Sequence, residues 1–233
     1  MATSPQILLP LEGRRADTFA EFVPGPNGPL IAALTDAGEP AGCILIRGSE
    51  GSGKSHLLNA LCNRVQDEGR AAFYMALARL PESAAEGLAG LEGFDLVCVD
   101  DIDSIAGSAR WEEALFHCFN RLREHGCRLV LSTTLPLASI PFGLPDLRSR
   151  VAWGLRLRLQ PLDDDDKSEV LRRRAASLGI ALPDDVRRYL LRRSSRNVAD
   201  LVGRLEAVRT AALAGKRRIT VPLARQVLDA DGV

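Results

Sequence analysis

Aromatic residues make up only 5% of this 233-residue chain, and its thirty lysines and arginines are cancelled by thirty aspartates and glutamates. There is no chain-wide basic field to hold nucleic acid and few rings to stack on bases, so any DNA contact is expected to be weak or indirect. The five cysteines, Cys43, Cys62, Cys98, Cys118 and Cys127, are odd in number, form no C-x-x-C pair and fall in apolar stretches. They read as small core residues in a reducing cytosol, not as a disulfide scaffold. No apolar run approaches the ~20 residues that span a bilayer. Met1-Ala2-Thr3-Ser4-Pro5 lacks the charged and apolar regions of a signal peptide, so a cytoplasmic protein with no membrane contact is expected. No internal repeat is visible, and 46% hydrophobic content is ample for a core.

What is present is a phosphate-binding pattern. Gly48-Ser49-Glu50-Gly51-Ser52-Gly53-Lys54-Ser55 satisfies G-x-x-x-x-G-K-S/T in full. Glycines let backbone N–H groups turn inward around phosphate oxygens, Lys54 supplies charge, and the Ser55 hydroxyl can ligate Mg²⁺. The pattern follows an expected strand, Cys43 to Ile46, and opens an expected helix. Leu57, Leu58, Leu61, Cys62 and Val65 share one face of that helix, and Gly69 stands at its end. The N-terminal end of such a helix favours the same anion.

Further along, Ala71 to Ala76, Phe94 to Val99 and Arg128 to Ser132 read as buried strands. Trp111, Ala114, Leu115, Cys118, Phe119 and Leu122 recur at helical spacing up to Gly126. Strands alternating with helices imply a parallel sheet covered on both faces. From Leu155 to Leu159, leucines alternate with Arg156 and Arg158 as in a strand with one exposed face. Beyond Pro161 the chain reads as helix throughout. The run Asp163 to Asp166 opens a helix whose far end carries Arg172, Arg173 and Arg174, a charge order that complements the helix dipole. Helices follow at Val186 to Arg193 and Val198 to Ala214, and from Thr220, an N-cap.

Leu96-Val97-Cys98-Val99-Asp100-Asp101 ends a buried strand in two carboxylates, as a metal-bound nucleotide needs. Asp100 would hold the Mg²⁺ shell and Asp101 would orient the attacking water. The strand end Ser132-Thr133-Thr134 offers hydroxyls to sense a γ-phosphate, and equally reads as an ordinary strand-to-loop cap. Arg148 and Arg150 follow Leu144-Pro145-Asp146-Leu147. One of them could reach a neighbour's nucleotide, though the usual fate of an arginine is a solvated surface.

These residues together resemble the AAA+ ATPases of the bacterial replication initiator DnaA group. The likeness runs from Thr18-Phe19-Ala20-Glu21-Phe22-Val23 through Val99-Asp100-Asp101-Ile102 to Arg148-Ser149-Arg150-Val151-Ala152-Trp153-Gly154. Within the group, Gly143 to Leu147 with Trp153-Gly154, and Leu159-Gln160-Pro161-Leu162 followed by Asp166-Lys167, are similar to the Hda regulators. So is Gln6-Ile7-Leu8-Leu9-Pro10-Leu11, which looks like the peptide with which Hda proteins dock on the DNA polymerase sliding clamp. Gln6 would hydrogen-bond while Leu8, Leu9 and Leu11 fill an apolar pocket. The competing reading of that peptide is a first strand packed on the domain.

The resemblance implies an α/β AAA+ P-loop core over residues 16–160, preceded by a clamp-docking segment at 1–15 and followed by a helical lid at 161–233. It assigns ADP or ATP to Gly48, Gly51, Ser52, Gly53, Lys54, Ser55 and His56, with Phe22 and Val23 near the adenine, and Mg²⁺ to Ser55 and Asp100. It makes Asp101 hydrolytic, Thr134 the first sensor and Arg150 an arginine finger acting in trans. The implied function is regulation of replication initiation, with the protein docked on the clamp, stimulating hydrolysis of ATP held by DnaA, and with self-association left open.

Two departures point to weak intrinsic hydrolysis. Thr134 stands where relatives carry an acid or amide, and Ala199 in Asn197-Val198-Ala199-Asp200 stands where a lid arginine is usual, with Arg196 one turn away. Competing readings are a helicase-loader-like or single-strand-binding adaptor, and a P-loop small-molecule kinase.

Overall fold

A computed structural model describes residues 17–36, 42–193 and 197–230. The peptide containing Gln6, Leu8, Leu9 and Leu11, and Arg196, lie outside the described residues. Five parallel strands, β1 (Cys43–Arg47), β2 (Ala72–Ala76), β3 (Leu96–Asp100), β4 (Arg128–Thr133) and β5 (Leu155–Arg158), form one sheet in the order β2-β3-β4-β1-β5. The register pairs Leu45 of β1 with Leu131 of β4 and with Arg156 of β5.

The near-continuous apolar runs of β3 and β4 follow from burial on both faces. Val97, Val99, Leu129 and Leu131 point into one core with Leu115 and Leu122 of α3 (Ala109–Glu124) and Leu147 of α4 (Pro145–Ala152). Leu96, Cys98 and Val130, alternating with them, enter a second core with Leu34 of α1 (Gly28–Thr35) and Leu57 and Leu61 of α2 (Lys54–Asp67). The expected strand at Phe94 starts two residues later, at Leu96, because Phe94 still belongs to the turn that leads into the strand, its N–H bonded to the Leu91 carbonyl. Cys62, Cys98, Cys118 and Cys127 are buried and Cys43 is half-buried, all five as free thiols.

Beyond β5 come α5 (Asp164–Ser177), α6 (Asp184–Arg193), α7 (Val198–Ala214) and α8 (Val221–Ala230). They close on a third core that includes Leu171, Val186, Leu190, Leu201, Leu205 and Leu228. The aspartate run does open a helix: Asp163 is the N-cap of α5 and accepts the Asp166 N–H. The arginines expected at its far end act differently. Arg172 and Arg173 pair with Glu169 one turn back, and Arg174 pairs with Glu206 of α7 and Glu21. β5 also departs from a simple two-faced strand. It is one of the sheet's two edge strands, and Leu155 is left exposed while Leu157 packs inward. Among the described residues no helix is long and apolar enough to cross a membrane.

Candidate nucleotide site

Ligands in open parallel sheets bind beyond the carboxyl ends of the strands, and here β1, β3 and β4 all end at one cleft. The cleft measures about 700 Å³ and is roofed by the helices of α5 and α7. Ten of the residues expected at the site line it: Phe22, Val23, Gly51, Ser52, Gly53, Lys54, Ser55, His56, Asp101 and Thr134.

The loop between β1 and α2 is shaped for an anion. Gly53 is the N-cap of α2 at φ 102°, so no side chain caps the helix, and the first N–H groups of α2 are left for a ligand. Gly51 sits at φ 65°, and a Cβ there would lie 1.7 Å from the Asn197 Oδ1. Only glycine fits that approach. Ser52 Oγ is buried with no hydrogen-bond partner among the described residues. Lys54 is buried, its Nζ donating to the carbonyls of Gly48 (3.2 Å) and Ser49 (3.3 Å), 3.9 Å from Asp101 Oδ1. An unmatched hydroxyl, a glycine cradle and a buried cation at a helix start together fit a polyphosphate.

The two carboxylates at the end of β3 occupy different environments. Asp100 is fully enclosed and accepts hydrogen bonds from Tyr74 (2.8 Å) and Ser132. Asp101 turns into the cleft because its backbone is left-handed (φ 56°, ψ 54°), a conformation disfavoured outside glycine and tolerated by aspartate. Burial and the neighbouring Asp100 charge raise its pKa, against the lowering effect of Lys54. Thr134 donates its hydroxyl and its N–H to Asp103, so its side chain is held by a carboxylate on the cleft wall.

The N-terminal wall is held by α2. His56 contacts Asp17 through Nδ1 (3.2 Å) and the Thr18 carbonyl through Nε2 (3.0 Å), and its ring packs 5.7 Å from that of Phe22. Burial works against the charged imidazole, but the hydrogen bond and charge of Asp17 outweigh it and raise the pKa. Arg173 of α5 donates to the carbonyls of Ala20 and Phe22, tying the helical unit to the segment beside the cleft.

From the other side, Asn197 caps α7 by accepting the Ala199 and Asp200 N–H groups, and the Ala199 N–H also reaches the Gly51 carbonyl (3.1 Å). The lid thus touches the phosphate loop through backbone, and Ala199 brings no charge to that point.

Arg150 lies elsewhere. It is half-buried on α4 and does not line its own cleft. Arg148, two residues away, faces inward and donates to the Ile140 carbonyl.

The sequence reading missed Asp103, Asn197 and Glu112. Asp103 follows the expected acidic pair and could have been weighed with it, and Asn197 is a residue type that favours helix N-caps. Glu112 carries no such signal. It is buried in the first turn of α3 and accepts the N–H groups of Gly107 (2.7 Å), Gly143 (3.1 Å) and Leu144 (2.7 Å). Leu144 is the N-cap of α4, so this carboxylate seats the helix that carries Arg150.

Comparison with known proteins agrees with this architecture. Residues 14–158 match the family model of the bacterial DnaA ATPase domain, and residues 164–228 match the lid domain of Hda. Among solved structures, domain III of the Thermotoga maritima replication initiation protein DnaA is 24% identical with a TM-score of 0.80, over 92% of this chain and 96% of that one. AMPPCP-bound DnaA from Aquifex aeolicus is 23% identical with a TM-score of 0.66, over 80% of this chain and 62% of that one. The Thermotoga maritima RuvB Holliday junction branch migration motor is 18% identical with a TM-score of 0.69, over 93% of this chain and 72% of that one.

Proposed function

The chain belongs to the AAA+ family of the bacterial DnaA ATPase domain and carries a lid like that of Hda, and from that premise we propose that it restrains replication initiation by acting on DnaA. Bound to ADP or ATP, it docks on the DNA polymerase sliding clamp in the cytoplasm, at the nucleoid, and stimulates hydrolysis of the ATP held by DnaA. Any contact with DNA is indirect or weak.

The nucleotide reading rests on the glycine cradle, the buried Lys54, the orphaned Ser52 hydroxyl and the open start of α2. The AMPPCP bound by the Aquifex relative supports an adenine nucleotide. Phe22 and Val23 form the apolar wall for the base. When bound, Mg²⁺ neutralises phosphate charge. Ser55 of the loop would hold it, with Asp101 facing the cleft and Asp100 kept behind by Tyr74 and Ser132. Thr134 is held by Asp103, Ala199 offers no cation, and Arg174 at the cleft is engaged by Glu206 and Glu21, so among the described residues Lys54 is the cation left to stabilise charge on this chain's own terminal phosphate. Intrinsic hydrolysis is therefore slow.

The observation that carries the reading is Arg150. It lies off its own cleft with its guanidinium against aromatic rings, and makes no ion pair with a described residue. Such an arginine serves a nucleotide on a neighbouring subunit, where it stabilises transition-state charge. Clamp docking is assigned to Gln6, Leu8, Leu9 and Leu11.

DnaA loaded with labelled ATP, incubated with clamp and this protein, tests both halves. Arg150→Ala should bind ADP and clamp normally and lose stimulation by orders of magnitude. Arg150→Lys should also fail, because a point charge does not reproduce the planar fork. Arg148→Ala should do much less. Wild-type stimulation by Arg150→Ala would remove the finger assignment.

A further inference from the structure

Trp153 follows the last residue of α4 and is 60% exposed, although an indole usually buries its large apolar face. Two cations use that ring. The Arg150 guanidinium carbon lies 4.5 Å from its centroid and that of Arg123, from α3, lies 4.9 Å away; Arg150 is also 5.9 Å from the Phe116 ring. An aromatic face and a carboxylate hold an arginine in different ways. A carboxylate consumes the N–H donors along the guanidinium edge, whereas a ring engages the flat face and leaves those in-plane donors free. Two guanidiniums on one indole also concentrate positive charge at an exposed point, an arrangement suited to a polyphosphate.

We infer that Trp153 is a positioning residue for Arg150: its ring fixes the plane of the guanidinium so that the donor edge faces a phosphate on the neighbouring subunit. This inference rests on the finger reading above. An unstacked Arg150 samples many rotamers, so only a fraction of docked complexes would present the fork correctly, and the defect would fall on the rate within the complex.

The test follows hydrolysis by ATP-loaded DnaA with clamp at rising concentrations of each variant, after thermal unfolding has checked that each is folded. Because Trp153 is exposed, its replacement should leave folding intact. Trp153→Leu, apolar but without a ring, is expected to lower the saturating rate about three- to tenfold and to leave the half-saturating concentration within about twofold of the wild type. Trp153→Phe, which keeps a planar face, is expected to recover most of the rate. An unchanged saturating rate for Trp153→Leu would overturn the inference. So would a defect confined to the half-saturating concentration, the mark of an interface anchor, or a Trp153→Phe variant no better than Trp153→Leu. Arg150→Ala is measured alongside: if it stimulates normally the finger reading itself falls, whereas a dead Arg150→Ala beside a fully active Trp153→Leu removes only the role of the ring.

Discussion

Replacing Glu112 probes how the finger-bearing helix is seated. The carboxylate is 1% exposed and takes three backbone N–H groups, those of Gly107 and Gly143 on Oε1 and of Leu144 on Oε2. Hydrogen bonds to a charged acceptor contribute roughly 1.5–3 kcal/mol each, and an orphaned buried donor costs about 1–3 kcal/mol. Glu112→Ala orphans all three at once. With some relief from water entering the space left behind, the loss should be about 3–5 kcal/mol, a large part of an ordinary domain's stability. Glu112→Gln should cost about 2 kcal/mol. Its amide oxygen can still serve Gly107 and Gly143, but its NH₂ then faces the Leu144 N–H, donor against donor. Urea unfolding followed by circular dichroism measures both values. Since Glu112 does not line the cleft, ADP binding by folded protein should persist, while stimulation of DnaA falls as the start of α4 loosens. A loss below about 1 kcal/mol for the alanine variant, or equal losses for the two, would refute the three-bond account.

Lys54→Ala should abolish ADP binding in calorimetry, because the amide cradle remains but its one buried cation is gone; unchanged affinity would discredit the site. His56 predicts a pH dependence. Its folded-state pKa is raised above 6.5, so the contact with Asp17 stabilises fully below that value and is lost as pH rises through the folded pKa. The melting-temperature gap between wild type and His56→Gln should therefore be wide in mild acid and narrow in mild alkali, and a gap that does not change with pH would contradict it. Deleting residues 1–11 should eliminate clamp capture in a pull-down while leaving the melting temperature nearly unchanged. A truncated protein that unfolds would show that the segment is a core strand.

Local chemistry was legible along the chain. Gly69 and Gly126 end α2 and α3 at positive φ, Asp163 and Thr220 begin α5 and α8, and the apolar runs became β1 to β4, because caps and periodicity depend on residues a few positions apart. The phosphate loop was legible for the same reason. Cys43 and Leu155 read as core but lie at least partly in the open, since burial depends on which neighbour the sheet supplies. Glu112 gave no signal, because its partners Gly143 and Leu144 are local to another helix.

By itself the sequence determined the alternation of strand and helix, the phosphate cradle and the acidic pair at the end of β3. All of these are set by short-range backbone preference and side-chain period. Tertiary structure decided the rest. The strand order β2-β3-β4-β1-β5 gathers the ends of β1, β3 and β4 into one cleft, and the left-handed backbone at Asp101 turns that carboxylate rather than Asp100 toward it. Packing of α7 on the loop sets Asn197 against Gly51, and packing of α4 on α3 sets Arg150 and Trp153 beside Phe116 and Arg123. Such pairings depend on how whole elements bury their apolar faces against one another, and no local pattern encodes which faces meet.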